Sequence, residues 1–141
     1  MIVGISTHQI NTSKYVDLPY VSKGRDFKGV DCWGLIYLIF KIEFGILIPS
    51  WSAEYENANK VQLKKFKDNS VYFNGWVEIE KPEVNSVILF EMGKLFHVGL
   101  CLDKRGREML HIMRGTKVTI EKLDSALWKY RQKWGYKYNA E

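Results

Sequence analysis

The run from Cys32 to Phe44 contains no proline and carries charge only at Lys41 and Glu43. Within it, Cys32, Leu35, Ile36, Ile39 and Glu43 fall at helical spacing on one side. Trp33, Tyr37, Phe40 and Phe44 form a second apolar stripe. A helix that is apolar on two sides is buried by the rest of its protein rather than laid on the surface. Asp31 is placed to cap it, its carboxylate taking an orphan backbone N–H of the first turn. Gly45 supplies a left-handed position after the last turn, and Pro49 prevents re-entry. The remaining elements must therefore wrap around this helix. Cys32 lies in its first turn, where unpaired N–H groups and the positive end of the helix dipole favour thiolate over thiol. Cysteine is also among the most buried residue types and commonly acts as a small hydrophobe. Position alone does not separate the two roles, so the residues that would use a thiol must be sought downstream.

The chain has 141 residues, 46% of them hydrophobic, which is enough for one core and predicts one domain over 1–141, with 1–13 as a lead-in. No stretch approaches the length of a membrane span, so no integral membrane segment is expected. The start, Met1 to His8, lacks a basic region and a long apolar run and does not read as a secretory signal. The two cysteines lie far apart and give no disulfide framework. The net charge of +5 suits an anionic partner such as nucleic acid, a membrane surface or a cell-wall polymer. Its densest cluster, Lys60, Lys64, Lys65 and Lys67, reads as a solvated helix face. No nucleic-acid module signature accompanies it, and no nucleic-acid partner is expected.

Along the chain, His8 reads as a surface histidine. Lys14 to Pro19 is a lead-in, and the proline disfavours helix at the residue before it. Val21 to Gly29 is a loop with Gly24, Asp26 and Gly29 as turn formers. After the apolar helix, residues 53–68 are polar with scattered apolar positions and read as one helix. Trp76 to Glu80 and Val87 to Phe90 read as strands separated by a turn at Val84-Asn85-Ser86. Val118-Thr119-Ile120 is a short strand, Ser125 to Lys133 a helical or turn segment, and Trp134 to Tyr138 a closing strand.

The most informative element is a hairpin. Leu95 to Leu102 and Met109 to Met113 are strand-like, and Lys104-Arg105-Gly106 fits a type I turn followed by a left-handed glycine. That register pairs Asp103 with Arg107, Leu100 with Leu110 and Gly99 with His111. One face then carries Val98, Leu100, Leu110 and Ile112. The other carries His97, Gly99, Cys101, Met109, His111 and Met113. His97 and His111 become diagonal neighbours about 7–8 Å apart at the backbone, and Gly99 leaves room for their rings. Cys101 reads as a small core residue. A slip of one residue would separate the histidines.

A cysteine at a helix start, followed by two histidines on one face of a sheet, is what a cysteine nucleophile needs. One imidazole takes the thiol proton and a third group orients that imidazole through its other nitrogen. The same three side chains are also enough for a zinc centre with an open position.

These residues resemble the NlpC-type cell-wall cysteine peptidases, which have a compact papain-like fold. The similarity runs from about Tyr15 to Tyr138. Leu18-Pro19-Tyr20-Val21 resembles the family's tyrosine-bearing loop, and Gly29-Val30-Asp31-Cys32-Trp33-Gly34-Leu35 its nucleophile motif. Gly45-Ile46-Leu47-Ile48-Pro49 resembles the segment that follows, and Ser86 to Phe90 the strand after a Gly-Asp turn. His97-Val98-Gly99-Leu100 and Leu110-His111 resemble its two histidine motifs. The resemblance implies an α+β fold with the nucleophile helix packed on an antiparallel sheet. It makes Cys32 the nucleophile, His97 the base, His111 the orienting residue and Tyr20 a neighbour of the thiol that helps bind the oxyanion. It implies no cofactor and no metal.

The sequence departs from the family pattern where Trp33 replaces the usual Ser and Asn85-Ser86 the usual Gly-Asp. Asp31-Cys32-Trp33-Gly34, Gly24-Arg25-Asp26, Leu127-Trp128 and the tyrosine-rich end resemble the branch encoded by tailed bacteriophages. The expected activity is hydrolysis of amide bonds in peptidoglycan stem peptides through a thioester acyl-enzyme. The expected partners are the peptidoglycan peptide and other phage tail-tip proteins. With no export signal read in the sequence, the expected location is the virion tail, or the host cytoplasm during assembly. The competing expectation is a structural tail-assembly protein that keeps the fold with little or no hydrolase activity.

Overall fold

The computed structural model describes residues 8–50, 76–92, 95–129 and 131–138, and the fold below refers to these. The helix expected over 53–68 and the lysine cluster lie outside the described residues. The chain begins with a 3₁₀ turn at Thr12–Lys14. A two-stranded ribbon follows, β1 (Arg25–Asp26) paired antiparallel with β2 (Gly29–Val30). The apolar helix α1 spans Cys32–Ile39 and widens into a π turn over Phe40–Phe44. Gly45 ends it at φ +65°, the left-handed conformation in which a side chain is penalised.

The remaining strands are β3 (Trp76–Ile79), β4 (Val87–Met92), β5 (Leu95–Cys101), β6 (Glu108–His111), β7 (Thr119–Lys122) and β8 (Gln132–Tyr138). They form a six-stranded antiparallel sheet in the order β3-β8-β4-β5-β6-β7. The C-terminal run read as a closing strand is therefore an interior one. β8 pairs with β3 on one side and β4 on the other. Alternation in a sequence reports that a strand has two faces, not which neighbours it takes.

Strand alternation divides the core. Val87, Leu89, Val98, Leu100, Leu110 and Ile112 face α1 and are buried with Cys32, Trp33, Leu35, Ile36, Ile39 and Phe40. The opposite face buries Ile88, Phe90, Cys101, Met109, Leu123 and Trp128. The hairpin has the expected register, Leu100 opposite Leu110 and Cys101 opposite Met109, with Gly106 at φ +68°. Asp103 Oδ1 accepts from Arg107 N at 2.7 Å and closes the turn. Asn85 takes φ +66° in the turn before β4. Asparagine is among the few side chains that tolerate this conformation, which explains how it stands where the family pattern has glycine.

The start of α1 is held by Asp31, which is fully buried. Its Oδ1 accepts from Gly34 N at 2.8 Å and from Arg25 Nη1 at 2.8 Å, and its Oδ2 accepts from Lys23 N at 2.9 Å. Arg25 reaches on to the backbone carbonyls of Gly24 and Ser50. One carboxylate thus ties the preceding loop, the ribbon and the segment after the helix to the first turn. Removing one partner of a buried pair strands the other charge, at about 3–5 kcal/mol. Asp31→Ala is expected to lose stability in that range by urea unfolding. Asp31→Asn, which keeps an oxygen for the cap, should fall between it and wild type. An Asp31→Ala midpoint equal to wild type would show that the loop holds without the carboxylate.

Candidate active site

Cys32 is the first residue of α1 and is buried. The backbone N–H groups of Val98 and Trp33 point to its sulfur and favour the thiolate, as does the charge of Arg25. Burial outweighs them, and the Asp31 carboxylate adds to it, so that the thiol is pushed up to about 12. This corrects the expectation that the first-turn position makes Cys32 a ready thiolate. Dipole and N–H stabilisation are worth about 0.3–2 kcal/mol. Taking a charge out of water costs more, and the neighbouring carboxylate opposes a second negative charge.

Gly34, two residues on, is required by packing: a Cβ there would collide with the carbonyl oxygen of Gly24 and crowd Asp31. Trp33 is fully buried, and its indole N–H donates to Pro49 O at 2.8 Å. It is a core aromatic that anchors the chain leaving the helix.

β5 and β6 supply the histidines. His97 Nε2 and His111 Nδ1 lie 2.8 Å apart. Both rings are buried. Gly99 makes this fit, since a Cβ there would meet Met109 Sδ at 2.8 Å and His111 Cβ at 3.4 Å. Val98, whose N–H reaches the Cys32 sulfur, directly follows His97, so β5 brings the base candidate and the thiol to one place. Burial, then His111, lowers His97 to about 3. Burial also lowers His111, against the opposing pull of Glu121. Both imidazoles are therefore neutral near neutral pH.

Tyr20 lies at an isolated bridge to Val30, and its backbone N–H donates to Thr116 O at 3.2 Å. Its hydroxyl is pushed up to about 12 by burial, then by Cys32 and Asp31, so it stays a donor beside the thiol. The structure thus brings Tyr20 into the electrostatic neighbourhood of Cys32.

Two further residues complete the site and were not singled out in it from sequence. Glu121 Oε1 is 2.7 Å from His111 Nε2, and Glu121 Oε2 accepts from Trp128 Nε1 at 3.0 Å. Trp128 is buried and stacks on His97 with ring centroids 5.3 Å apart and planes 28° apart. Trp128 is therefore a core residue. The strand read from sequence, Val118 to Ile120, stops short of Glu121, whereas β7 runs Thr119–Lys122 and its pairing Met109↔Glu121 sets the carboxylate beside His111.

The relay also bears on metal binding. His97 Nε2 and His111 Nδ1 bond each other and His111 Nε2 bonds Glu121, leaving one imidazole nitrogen for a ligand. A zinc centre built on Cys32 and both histidines does not fit this arrangement.

A thiol at the start of a buried helix, set against a histidine-bearing antiparallel sheet, defines an α+β domain of the papain-like class. The sequence profile of the NlpC/P60 family matches residues 17–135, and the chain belongs to that family. A similar solved structure is an NLP/P60 family protein of Staphylococcus aureus subsp. aureus Mu50 described as similar to a lipoprotein. It has 22% identity and a TM-score of 0.59 over 89% of this chain and 37% of that one. An NlpC/P60 family protein of Bacillus cereus ATCC 10987 has 20% identity and a TM-score of 0.60 over 92% of this chain and 41% of that one. The NlpC/p60 domain of the peptidoglycan hydrolase SagA has 17% identity and a TM-score of 0.57 over 89% of this chain and 97% of that one. The chain thus spans well under half of the first and second of these proteins and nearly the whole of the SagA domain. No curated protein sequence matches it.

The raised thiol and lowered imidazoles predict a neutral Cys32–His97 pair at rest. The ultraviolet thiolate absorbance lost on Cys32→Ser should be negligible at neutral pH and emerge only in strong alkali. A full thiolate signal at neutral pH, abolished by Cys32→Ser, would mean that burial does not control this site.

Proposed function

We propose that this domain is a cysteine hydrolase that cuts amide bonds in peptidoglycan stem peptides. The observation that carries the reading is the buried thiol beside Val98 with the His97–His111 pair on the same strand system. Family membership and the fold shared with a peptidoglycan hydrolase domain support the substrate class.

In this reading Cys32 Sγ attacks the scissile carbonyl carbon while His97 takes the thiol proton. A neutral starting pair makes proton transfer and carbon–sulfur bond formation concerted, because neither charge is stable alone in the buried site. First-turn N–H groups, together with the Tyr20 hydroxyl, receive the oxyanion. His97 then returns the proton to the leaving amine, and a thioester remains. Water, deprotonated by His97, attacks the thioester and releases Cys32 as the thiol.

Digestion of purified peptidoglycan, followed by mass spectrometry of the fragments, tests this directly. Cys32→Ala should release no new amino or carboxyl ends, and His97→Ala should be slower by about 10²–10⁴-fold. Because His97 protonates only well below its ordinary value, the rate should hold as pH falls through 6 and be lost at lower pH. Wild-type protein that leaves peptidoglycan uncut under these conditions would favour the structural alternative, a fold retained for assembly.

The finer part of the proposal places the domain in the tail of a bacteriophage, among tail-tip proteins. Its support is the pattern Gly24-Arg25-Asp26 and Asp31-Cys32-Trp33-Gly34, whose side chains form the Arg25–Asp31 latch and the Trp33 anchor. Purified virions should contain this polypeptide cross-linked to tail proteins. Its presence only in particle-free lysate would defeat the tail assignment while leaving the hydrolase reading intact.

A further inference from the structure

The donors and acceptors around Glu121 fix a direction for the hydrogen-bond relay. Trp128 Nε1–H can only donate, and it points at Glu121 Oε2 at 3.0 Å. A carboxylate offers only acceptors, so the 2.7 Å contact of Glu121 Oε1 requires a proton on His111 Nε2. A neutral His111 then presents a lone pair at Nδ1, and the 2.8 Å contact requires a proton on His97 Nε2. His97 is left with its lone pair on Nδ1.

We propose that Glu121 and Trp128 are positioning residues that set the tautomers of both histidines so that His97 offers Nδ1 as the base for the Cys32 thiol. This deepens the hydrolase reading and rests on it for its catalytic meaning. Trp128 acts at both ends of the relay. Its indole N–H occupies one oxygen of Glu121, and its ring stacks on His97 and meets the edge of His111 at 5.1 Å. Glu121 sits on β7 and the histidines on β5 and β6, so the relay runs across three neighbouring strands.

Glu121→Gln is the informative substitution because it keeps the shape and halves the acceptors. With its oxygen toward His111, its amide would face the Trp128 N–H, donor against donor. With its amide toward His111, every bond is satisfied only if the relay inverts. His111 then carries its proton on Nδ1, and His97 carries its proton on Nδ1, where the thiol proton must go. The inverted form holds the same hydrogen bonds and has no base. Trp128→Phe removes the opposing donor, keeps an aromatic ring against His97, and lets the introduced glutamine turn its oxygen back to His111.

The test pairs kinetics with imidazole ¹⁵N NMR, in a chain with three histidines. Wild type should show His111 protonated on Nε2 and His97 on Nε2. Glu121→Gln should move both protons to Nδ1 and lower kcat at least tenfold with little change in KM. Adding Trp128→Phe to Glu121→Gln should restore both tautomers and recover much of kcat, which loss of folding in either single variant cannot produce. Unchanged tautomers in Glu121→Gln, or full activity with inverted ones, would overturn the proposal. If wild type cleaves no peptidoglycan while the tautomers still invert, the hydrolase reading falls and the positioning of the relay stands.

Discussion

The Asp31 carboxylate is the contact on which the rest of the site depends. It caps α1 at Gly34, receives Lys23 N and pairs with Arg25, all without exposure to water. Through Arg25 it is linked to Ser50, so the segments before and after the helix are fixed to the turn that bears Cys32. A buried ion pair of this kind is weak evidence for net stability, because desolvation consumes much of the attraction. Its effect here is geometric: it fixes the first turn of α1, whose Cys32 sulfur receives the N–H of Val98. The same carboxylate opposes ionisation of Cys32, so position is gained at the expense of nucleophile charge. In the proposed mechanism a base close at hand is the physical remedy, and His97 on β5 is the candidate for it.

The sheet separates support from chemistry by face. Val98, Leu100, Leu110 and Ile112 bury α1. The residues between them in the alternation include His97 and His111, which pack with Phe90 and Trp128 on the other side. The Cys32 thiol is thus held by one core and the two imidazoles by another. Val98 joins the two, its side chain in the helix-facing core and its backbone N–H at the sulfur. A one-residue slip of β5 against β6 would exchange these roles, and the tight turn at Asp103–Gly106 is what prevents it.

Along this second core the polar groups satisfy one another in a line from the buried Trp128 through the partly exposed Glu121 to the buried His111 and His97. A partly satisfied buried network is costly, whereas a complete one specifies a single arrangement. The two lowered imidazoles show the balance: burial keeps them neutral, and neutrality is what makes a directed chain of single protons possible.

Sequence by itself determined the local and periodic features. The apolar, proline-free run after Asp31 dictated a buried, capped helix ending at Gly45, and Lys104-Arg105-Gly106 dictated the hairpin register that pairs Leu100 with Leu110. Those two elements were enough to place Cys32 at a helix start and both histidines on one face. Tertiary structure alone decided three things. β8 inserts between β3 and β4, because strand order depends on which edges meet and not on alternation. Glu121 and Trp128 reach the histidines through the pairing of β6 with β7 and the turns after β7, contacts that leave no periodic mark in the chain. The ionisation of Cys32 also reversed from the local expectation. A helix terminus is legible over one turn of sequence, but the water excluded from a thiol is a property of everything packed around it.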